Sequence, residues 1–124
     1  MYRTLLVALG GLVGSIGRYW LSGWAQNLGG SDFPVGTLTV NILGSFILGL
    51  VMTMSIERGL IGPETRLLLG TGFCGGFTTM STFSYETMAL LQYGNTVSAL
   101  TNIGLSLASC VIAVWVGSIA GRVL

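Results

Sequence analysis

Long stretches without a charged residue constrain this chain more than any other feature. They cover residues 33–56, 67–85 and 87–121, and each is long enough for the roughly 20 residues that an α-helix needs to cross a bilayer. A fourth apolar stretch, residues 4–26, is interrupted only by Arg18. Only 7% of the residues are charged, which is typical of a membrane protein and not of a water-soluble domain. We therefore predict an all-α membrane protein with four transmembrane helices.

The connections between these stretches are too short to form a soluble domain, so we predict a single transmembrane domain over residues 1–124. The predicted helices cover about residues 4–26, 33–56, 65–93 and 96–121. Any function must then lie within the membrane. Enzymatic activity is not expected, because the sequence has no histidine and shows no nucleophile–base pair and no cluster of metal ligands.

The third predicted helix is interrupted by glycines and hydroxyl residues. From Gly70 to Phe83 the sequence is Gly-Thr-Gly-Phe-Cys-Gly-Gly-Phe-Thr-Thr-Met-Ser-Thr-Phe, and we predict a break near residues 75–79. A discontinuous helix leaves carbonyl groups at one end and N–H groups at the other, and lipid satisfies neither. Either carbonyls from two subunits surround a monovalent cation there, or the Thr78 and Thr79 hydroxyls patch a simple kink. The spacing does not decide between these alternatives.

Small residues are unusually common, with 20 glycines in the chain. In lipid, small residues let helices approach closely and pack by van der Waals contact. Gly10 and Gly14 form such a pair on the first helix, and Gly44 and Gly49 act similarly on the second. Four helices of this size cannot enclose a water-filled pathway and also shield it from lipid. The closely packing faces therefore predict at least a dimer.

Polar side chains recur every three or four residues on the second and fourth helices, so that each set lies on one helix face. The two sets are Thr37, Asn41 and Ser45, and Ser98, Asn102, Ser106 and Ser109. A single residue of this kind commonly bonds within its own helix or joins two helices. For aligned sets that include asparagines, which are costly to leave unpaired in lipid, a narrow polar pathway is the better interpretation.

The chemistry of such a pathway favours a small anion. Hydroxyl and amide groups donate hydrogen bonds, and aromatic ring edges bear partial positive charge. No charged residue lies in the middle of the second, third or fourth helix, so an anion would bind weakly enough to leave again. Arg18 either raises the local anion concentration in a vestibule or extends its side chain to the membrane interface.

Three motifs follow one another along the chain. They are Gly14-x-x-Gly-Arg-Tyr19, Gly36-Thr-Leu-Thr-Val-Asn-Ile-Leu-Gly44 and Gly72-Phe-Cys-Gly-Gly-Phe-Thr-Thr-x-Ser-Thr-Phe83. Together they resemble the Fluc/CrcB fluoride channels, and the resemblance runs nearly end to end. It implies an antiparallel, dual-topology homodimer with two pores, which passively exports cytoplasmic fluoride through the bacterial inner membrane.

The resemblance also implies roles for individual residues. The Gly75 and Thr78 carbonyls from both subunits would hold a central structural sodium ion. Asn41 would donate a hydrogen bond to fluoride, and Phe83 would belong to a pair of phenylalanines that face the pore. The polar track beside that pair would consist of Ser81, Thr82, Ser84 and Ser106.

Met80 departs from the family pattern, because it stands where the first of the two pore phenylalanines is expected. A thioether lacks the ring quadrupole that gives a phenyl group its positive edge. We therefore predict a correctly folded dimer in which the anion site beside residue 80 is weakened. Glu86 has two interpretations: a functional acid within the membrane, or a residue that caps or hydrogen-bonds its neighbours near the helix end.

The arginines argue against dual topology. With four helices, both termini and the middle loop share one side of the membrane, which gathers Arg3, Arg58, Arg66 and Arg122. The positive-inside rule then predicts a single orientation, whereas a dual-topology protein should show little bias. We keep the antiparallel dimer because the motif match is the stronger signal.

Two other classes of membrane protein fit the size of the chain. A proton-coupled exporter of the small multidrug type should have an acidic residue in its first helix, and residues 4–26 contain none. A non-transporting scaffold would explain the glycines but not the aligned polar residues. The fluoride channel is therefore the preferred hypothesis, although hydrogen-bond donors alone do not separate fluoride from chloride.

Overall fold

The computed structural model describes residues 1–124 and contains four helices, as predicted. Helix α1 is Tyr2–Gly29, and α2 is Val35–Met52 with a π-helical extension, Thr53–Glu57. Helix α4 is Thr96–Val123. Helix α1 extends further in both directions than residues 4–26, because apolar periodicity does not mark how far a helix projects beyond the hydrocarbon.

Helix α3 covers residues 63–92 in two halves. The N-terminal half consists of Pro63–Arg66, a π-helical segment Leu67–Cys74 and one further turn, Gly75–Phe77. The C-terminal half is Met80–Gln92. Only Thr78 and Thr79 are extended, so the break is narrower than residues 75–79. The glycines at 75 and 76 remain helical, and the two threonines interrupt the helix.

The surface of the chain is that of a membrane protein. Three helical segments are long and apolar enough to cross a bilayer: Tyr2–Gly29, Val35–Glu57 and Thr96–Val123. Helix α3 is not in this group because the break divides it. Only 24 of the 124 residues are buried, and large apolar side chains such as Leu9, Leu107 and Trp115 are exposed. Such a surface is stable in lipid and not in water.

The glycines pack helices within one chain. A Cβ built on Gly10 or Gly14 would collide with backbone carbonyls of α3, at Leu68 and Phe73 respectively. A Cβ on Gly49 or Gly117 would collide with the backbone across the α2–α4 contact. Gly10, Gly14 and Gly49 are therefore used inside the subunit and do not support a dimer, which stays a prediction.

Helices α2 and α4 run side by side in the same direction. Gly117 faces Phe46 and Leu50, and Gly121, one turn further along α4, faces Leu50 and Thr53. At the C-terminal end of the contact between these helices, the Arg122 Nε lies 2.9 Å from the Glu57 Oε2 and forms an ion pair with it. This packing brings Asn41 and Ser45 of α2 and Ser106 of α4 to the same side of the subunit as the break in α3.

Candidate functional site

The break in α3 is formed by two threonines whose hydroxyls cap the two half-helices. Thr78 has φ −93° and ψ 159°, and Thr79 has φ −152° and ψ 119°. The Thr78 hydroxyl donates to the Cys74 carbonyl at 2.9 Å. The Thr79 hydroxyl accepts from the Thr82 N–H at 3.2 Å, as an N-cap does. The predicted patching of the kink by these two hydroxyls is therefore present.

Asn41 on α2 binds the break with both parts of its amide. Its Nδ2 donates to the Thr79 carbonyl at 3.2 Å, and its Oδ1 accepts from the Thr79 N–H at 2.8 Å. The backbone groups that a continuous helix would pair are thus satisfied by one side chain from a neighbouring helix. One N–H of the Asn41 amide remains free to donate.

The Gly75 and Thr78 carbonyl oxygens, both predicted sodium ligands, accept no hydrogen bond. Gly75 is exposed, and no atom lies within 4 Å of where a Cβ on it would stand. Freed carbonyls of a broken membrane helix are the groups that coordinate monovalent cations in other membrane proteins. The residues present therefore fit such a cation, and at Gly75 the subunit leaves its surface uncovered.

A cavity of about 360 Å³ lies beside the break. Six of the ten predicted site residues line it: Asn41, Gly75, Thr78, Met80, Phe83 and Ser106. Their roles toward an anion or a cation stay predictions. Ser45, Thr79 and Cys110 also line the cavity. Ser45 was already visible as the third member of the α2 polar face. No charged side chain lines this cavity.

Three predicted polar-track residues lie on α3 just beyond the break and do not line the cavity. The Ser81 hydroxyl is 3.3 Å from the Thr79 hydroxyl, and the Thr82 hydroxyl accepts from Thr79 at 3.2 Å. The Ser84 hydroxyl donates to the Met80 carbonyl at 2.9 Å. Ser81 and Thr82 are thus connected to the break through Thr79, whereas Ser84 is paired within its own helix.

Arg18, the predicted vestibule residue, does not line this cavity. Its Nε donates to the Gly76 carbonyl at 3.0 Å, and its side chain is half-buried. The guanidinium therefore holds one of the carbonyls that the break releases, next to the free carbonyl of Gly75. A role for Arg18 in attracting anions stays a prediction.

A buried polar chain joins α3 and α4. The Asn102 amide donates to the Thr87 hydroxyl at 3.0 Å, and the Ser106 hydroxyl donates to the Asn102 Oδ1 at 3.3 Å. The Thr87 hydroxyl donates in turn to the Phe83 carbonyl at 2.8 Å. Asn102 thus joins helices instead of lining the cavity, which the two ends of this network, Phe83 and Ser106, do line. Sequence analysis missed Thr87, although it lies one helical turn after Phe83.

Glu86 lies on the C-terminal half of α3, beyond the break. Its Oε1 is buried and has no hydrogen-bond partner. It lines a second cavity of about 540 Å³ together with Gln26, Asp32, Tyr85 and Tyr93. The Glu86 Oε1 therefore neither caps a helix end nor bonds a neighbour. This atom gives no support to the interpretation of Glu86 as a residue that only hydrogen-bonds its surroundings.

Comparison with known proteins shows the family to which the chain belongs. The family described as CrcB-like protein, Camphor Resistance (CrcB), matches residues 5–118. A protein of Geotalea uraniireducens named fluoride-specific ion channel FluC is 44% identical over the whole length of both chains. A fluoride-specific ion channel FluC of Geobacter sulfurreducens is 46% identical, again over both full lengths. FluC 1 of Methanosarcina acetivorans is 48% identical over 97% of this chain and 91% of its own.

Proposed function

The chain belongs to the CrcB-like family, and on that premise we propose that it is a fluoride-specific ion channel. It passes fluoride through the plasma membrane, the inner membrane of a bacterium, down its electrochemical gradient and so exports it from the cytoplasm. The observation that carries the proposal is the 44% identity, over both full lengths, to a relative named as a fluoride-specific ion channel.

The cavity beside the break is the proposed start of the anion pathway within one subunit. Its free donor is the remaining N–H of Asn41, which replaces part of the hydration shell of a small anion. The Ser106 hydroxyl also lines the cavity, but it donates its proton to the Asn102 Oδ1. The absence of a charged lining residue keeps binding weak, as conduction requires. The pathway continues along the polar track of Ser81, Thr82 and Ser84, as the family resemblance implies.

Phe83 supplies a ring edge to this pathway, and Met80 replaces the second ring. Met80 is 68% exposed in the single subunit, although it also lines the cavity. In the proposed assembly the second subunit covers it. Because sulfur lacks the positive edge of a phenyl ring, the anion site beside residue 80 is weaker than in a channel with two phenylalanines.

The assembly is an antiparallel homodimer with two pores and a central sodium ion. The free carbonyls of Gly75 and Thr78 support this part of the proposal, because two carbonyls from one chain do not complete the coordination of a cation. A two-fold axis beside Gly75 brings the same two carbonyls from the partner subunit. The same axis duplicates the cavity, which yields two pores. A sodium ion there would be held by these carbonyls and would supply positive charge to oxygens that the break leaves without hydrogen-bond donors.

The distribution of arginines remains the main argument against the antiparallel arrangement. Arg58 donates to the Gly121 and Arg122 carbonyls at 3.1 and 3.0 Å, and Arg3 and Arg66 line one cavity. All four arginines therefore lie at the end of the bundle that holds both termini. Arg122 is paired with Glu57 and Arg58 donates to carbonyls of α4, but the positive-inside rule counts arginines and not net charge, so the argument stands.

Purified protein in liposomes is expected to release trapped fluoride passively when the membrane potential is clamped with a potassium ionophore. Liposomes loaded with chloride should release chloride much more slowly than fluoride is released. Fluoride release should need no proton gradient. A fluoride-selective electrode measures the rate. Efflux that appears only with an imposed proton gradient would favour the exporter, and absence of efflux of either ion would favour the scaffold.

The Met80→Phe variant is compared with the unsubstituted protein in the same fluoride-efflux assay. It restores the second ring, so its fluoride flux is expected to exceed that of the natural sequence. Equal flux from the two forms would contradict the weakened site at Met80, while leaving the channel itself in place.

Exchange of sodium for choline at constant ionic strength is expected to lower the thermal stability of the dimer. A ligand present at about 100 times its dissociation constant stabilises the native state by about 2.7 kcal/mol, so the shift should be easily measured by tryptophan fluorescence. Native mass spectrometry should give twice the subunit mass of 13.0 kDa. Unchanged stability in choline, or a monomer mass, would contradict the sodium-bridged dimer.

A further inference from the structure

The four arginines at one end of the bundle divide into two pairs with different surroundings. Arg122 forms an ion pair with Glu57, and Arg58 donates to carbonyls at the end of α4. These two side chains are therefore occupied within the protein. Arg3 and Arg66 have no carboxylate partner, since the Arg122–Glu57 pair is the only salt bridge.

Arg3 and Arg66 line the same cavity, which has a volume of about 440 Å³. Arg66 is oriented by one hydrogen bond, from Nη1 to the Ser55 hydroxyl at 3.2 Å, and its remaining N–H groups are free. The Arg3 side chain makes no hydrogen bond and is exposed. Two guanidinium groups without an acidic partner thus border one cavity, and each has a planar set of donors suited to a phosphate group.

The rest of the cavity is mostly apolar, with Thr71 as its one polar side chain. Leu48 and Met52 contribute from α2, and Pro63 and Leu67 from the start of α3. A free inorganic anion gains nothing from such a wall. A molecule with a charged head and a hydrocarbon tail matches both parts, because its head meets the arginines and its tail covers the side chains below them.

We propose that the cavity between Arg3 and Arg66 binds an anionic phospholipid. The phosphate of the head group accepts hydrogen bonds from the two guanidinium groups, and an acyl chain lies along Leu48 and Met52. This cavity shares Leu48 and Gly70 with the cavity beside the break, but the test of the proposal measures lipid binding directly and not fluoride flux. Failure of the proposed transport function would therefore leave the result of this test unaffected.

The experiment is a native mass spectrometry titration of the detergent-purified protein with phosphatidylglycerol and with phosphatidylcholine of the same acyl chains. Phosphatidylglycerol is expected to bind more tightly. The Arg3→Gln and Arg66→Gln variants are each expected to weaken its binding about fivefold, which is the contribution of one arginine at a membrane surface. Phosphatidylcholine binding should not change.

Arg122→Gln is the matched control, because it removes the same charge at the same end of the bundle but from a side chain already paired with Glu57. It is expected to retain the affinity for phosphatidylglycerol, because Arg122 does not line the cavity and salt at about 0.15 M screens charges that do not contact the head group. Arg3→Gln keeps the test valid if Arg66→Gln fails to fold, since Arg3 makes no internal hydrogen bond.

Three outcomes overturn the proposal. They are equal affinity for the two lipids, unchanged phosphatidylglycerol binding in both arginine variants, and competition by soluble glycerol phosphate at equal concentration. The last outcome would show that the cavity takes a free phosphate and that the apolar wall adds nothing.

Discussion

Replacing Asn41 by alanine is expected to reduce fluoride flux about 10- to 100-fold. The variant removes a donor to the anion, and a hydrogen bond to a charged group contributes about 1.5–3 kcal/mol, which corresponds to this factor in rate. It also leaves the N–H and C=O of Thr79 without the partners they have at 2.8 and 3.2 Å. Flux measured in liposomes, together with thermal stability, reports both effects.

Asn41→Asp separates the structural role of this residue from its role toward the anion. The carboxylate still accepts from the Thr79 N–H, so the break keeps its shorter hydrogen bond, but it donates nothing and repels an anion. We expect a folded dimer with flux reduced at least as much as in Asn41→Ala. Wild-type flux through a folded Asn41→Asp dimer would remove Asn41 from the pathway.

Thr39→Val is the matched control for both variants. Thr39 is on the same helix, its hydroxyl donates only to the Val35 carbonyl at 2.8 Å, and it does not line the cavity. Loss of a local hydroxyl should therefore leave the flux unchanged. If Thr39→Val were as slow as Asn41→Ala, the effect would come from disturbing α2 in general.

Replacing Gly14 by alanine is expected to destabilise the subunit by about 1–3 kcal/mol, the usual cost of overpacking a core. A Cβ at this position would collide with the Phe73 carbonyl oxygen and stand 3.0 Å from the carbonyl carbon and 3.1 Å from the Phe77 nitrogen. These are backbone atoms and cannot rotate away, so α1 must move off α3. Because α3 holds the break, fluoride flux should fall as well.

Gly23→Ala is the control, since it makes the same change on the same helix. No atom lies within 4 Å of a Cβ there, so the added methyl meets open space and the helix loses a flexible residue. Its thermal stability should equal or exceed that of the natural sequence. Equal stability of Gly14→Ala and Gly23→Ala would mean that Gly14 of α1 does not contact the backbone of α3 in the membrane.

The parts of the fold that could be predicted from the sequence depend on local composition. Uncharged stretches of about 20 residues determine where helices lie, and the glycine and threonine run over residues 70–83 marks where α3 is interrupted. The sequence did not indicate that Gly75 and Gly76 stay helical while Thr78 and Thr79 are extended. That outcome depends on Asn41, which offers Thr79 an alternative to helical hydrogen bonds.

The polar faces show a similar limit. Spacing placed Asn41 and Asn102 on equivalent faces of two helices and suggested one role for both. In the structure Asn41 lines the cavity, whereas Asn102 is buried and bonded to Thr87. The difference comes from the neighbouring helix, because the break exposes backbone groups near Asn41 and the intact turn near Asn102 exposes only a hydroxyl.

The sequence by itself determined the membrane location, the four helices, the interrupted third helix and the family, because hydropathy and motifs are properties of contiguous residues. Only the tertiary structure decided which polar groups are paired and which are free: Arg18 is bound to the Gly76 carbonyl, while the Gly75 and Thr78 carbonyls accept nothing. The physical reason is that a hydrogen-bond partner within lipid must come from another part of the protein, and sequence spacing along one helix does not specify which neighbour faces it.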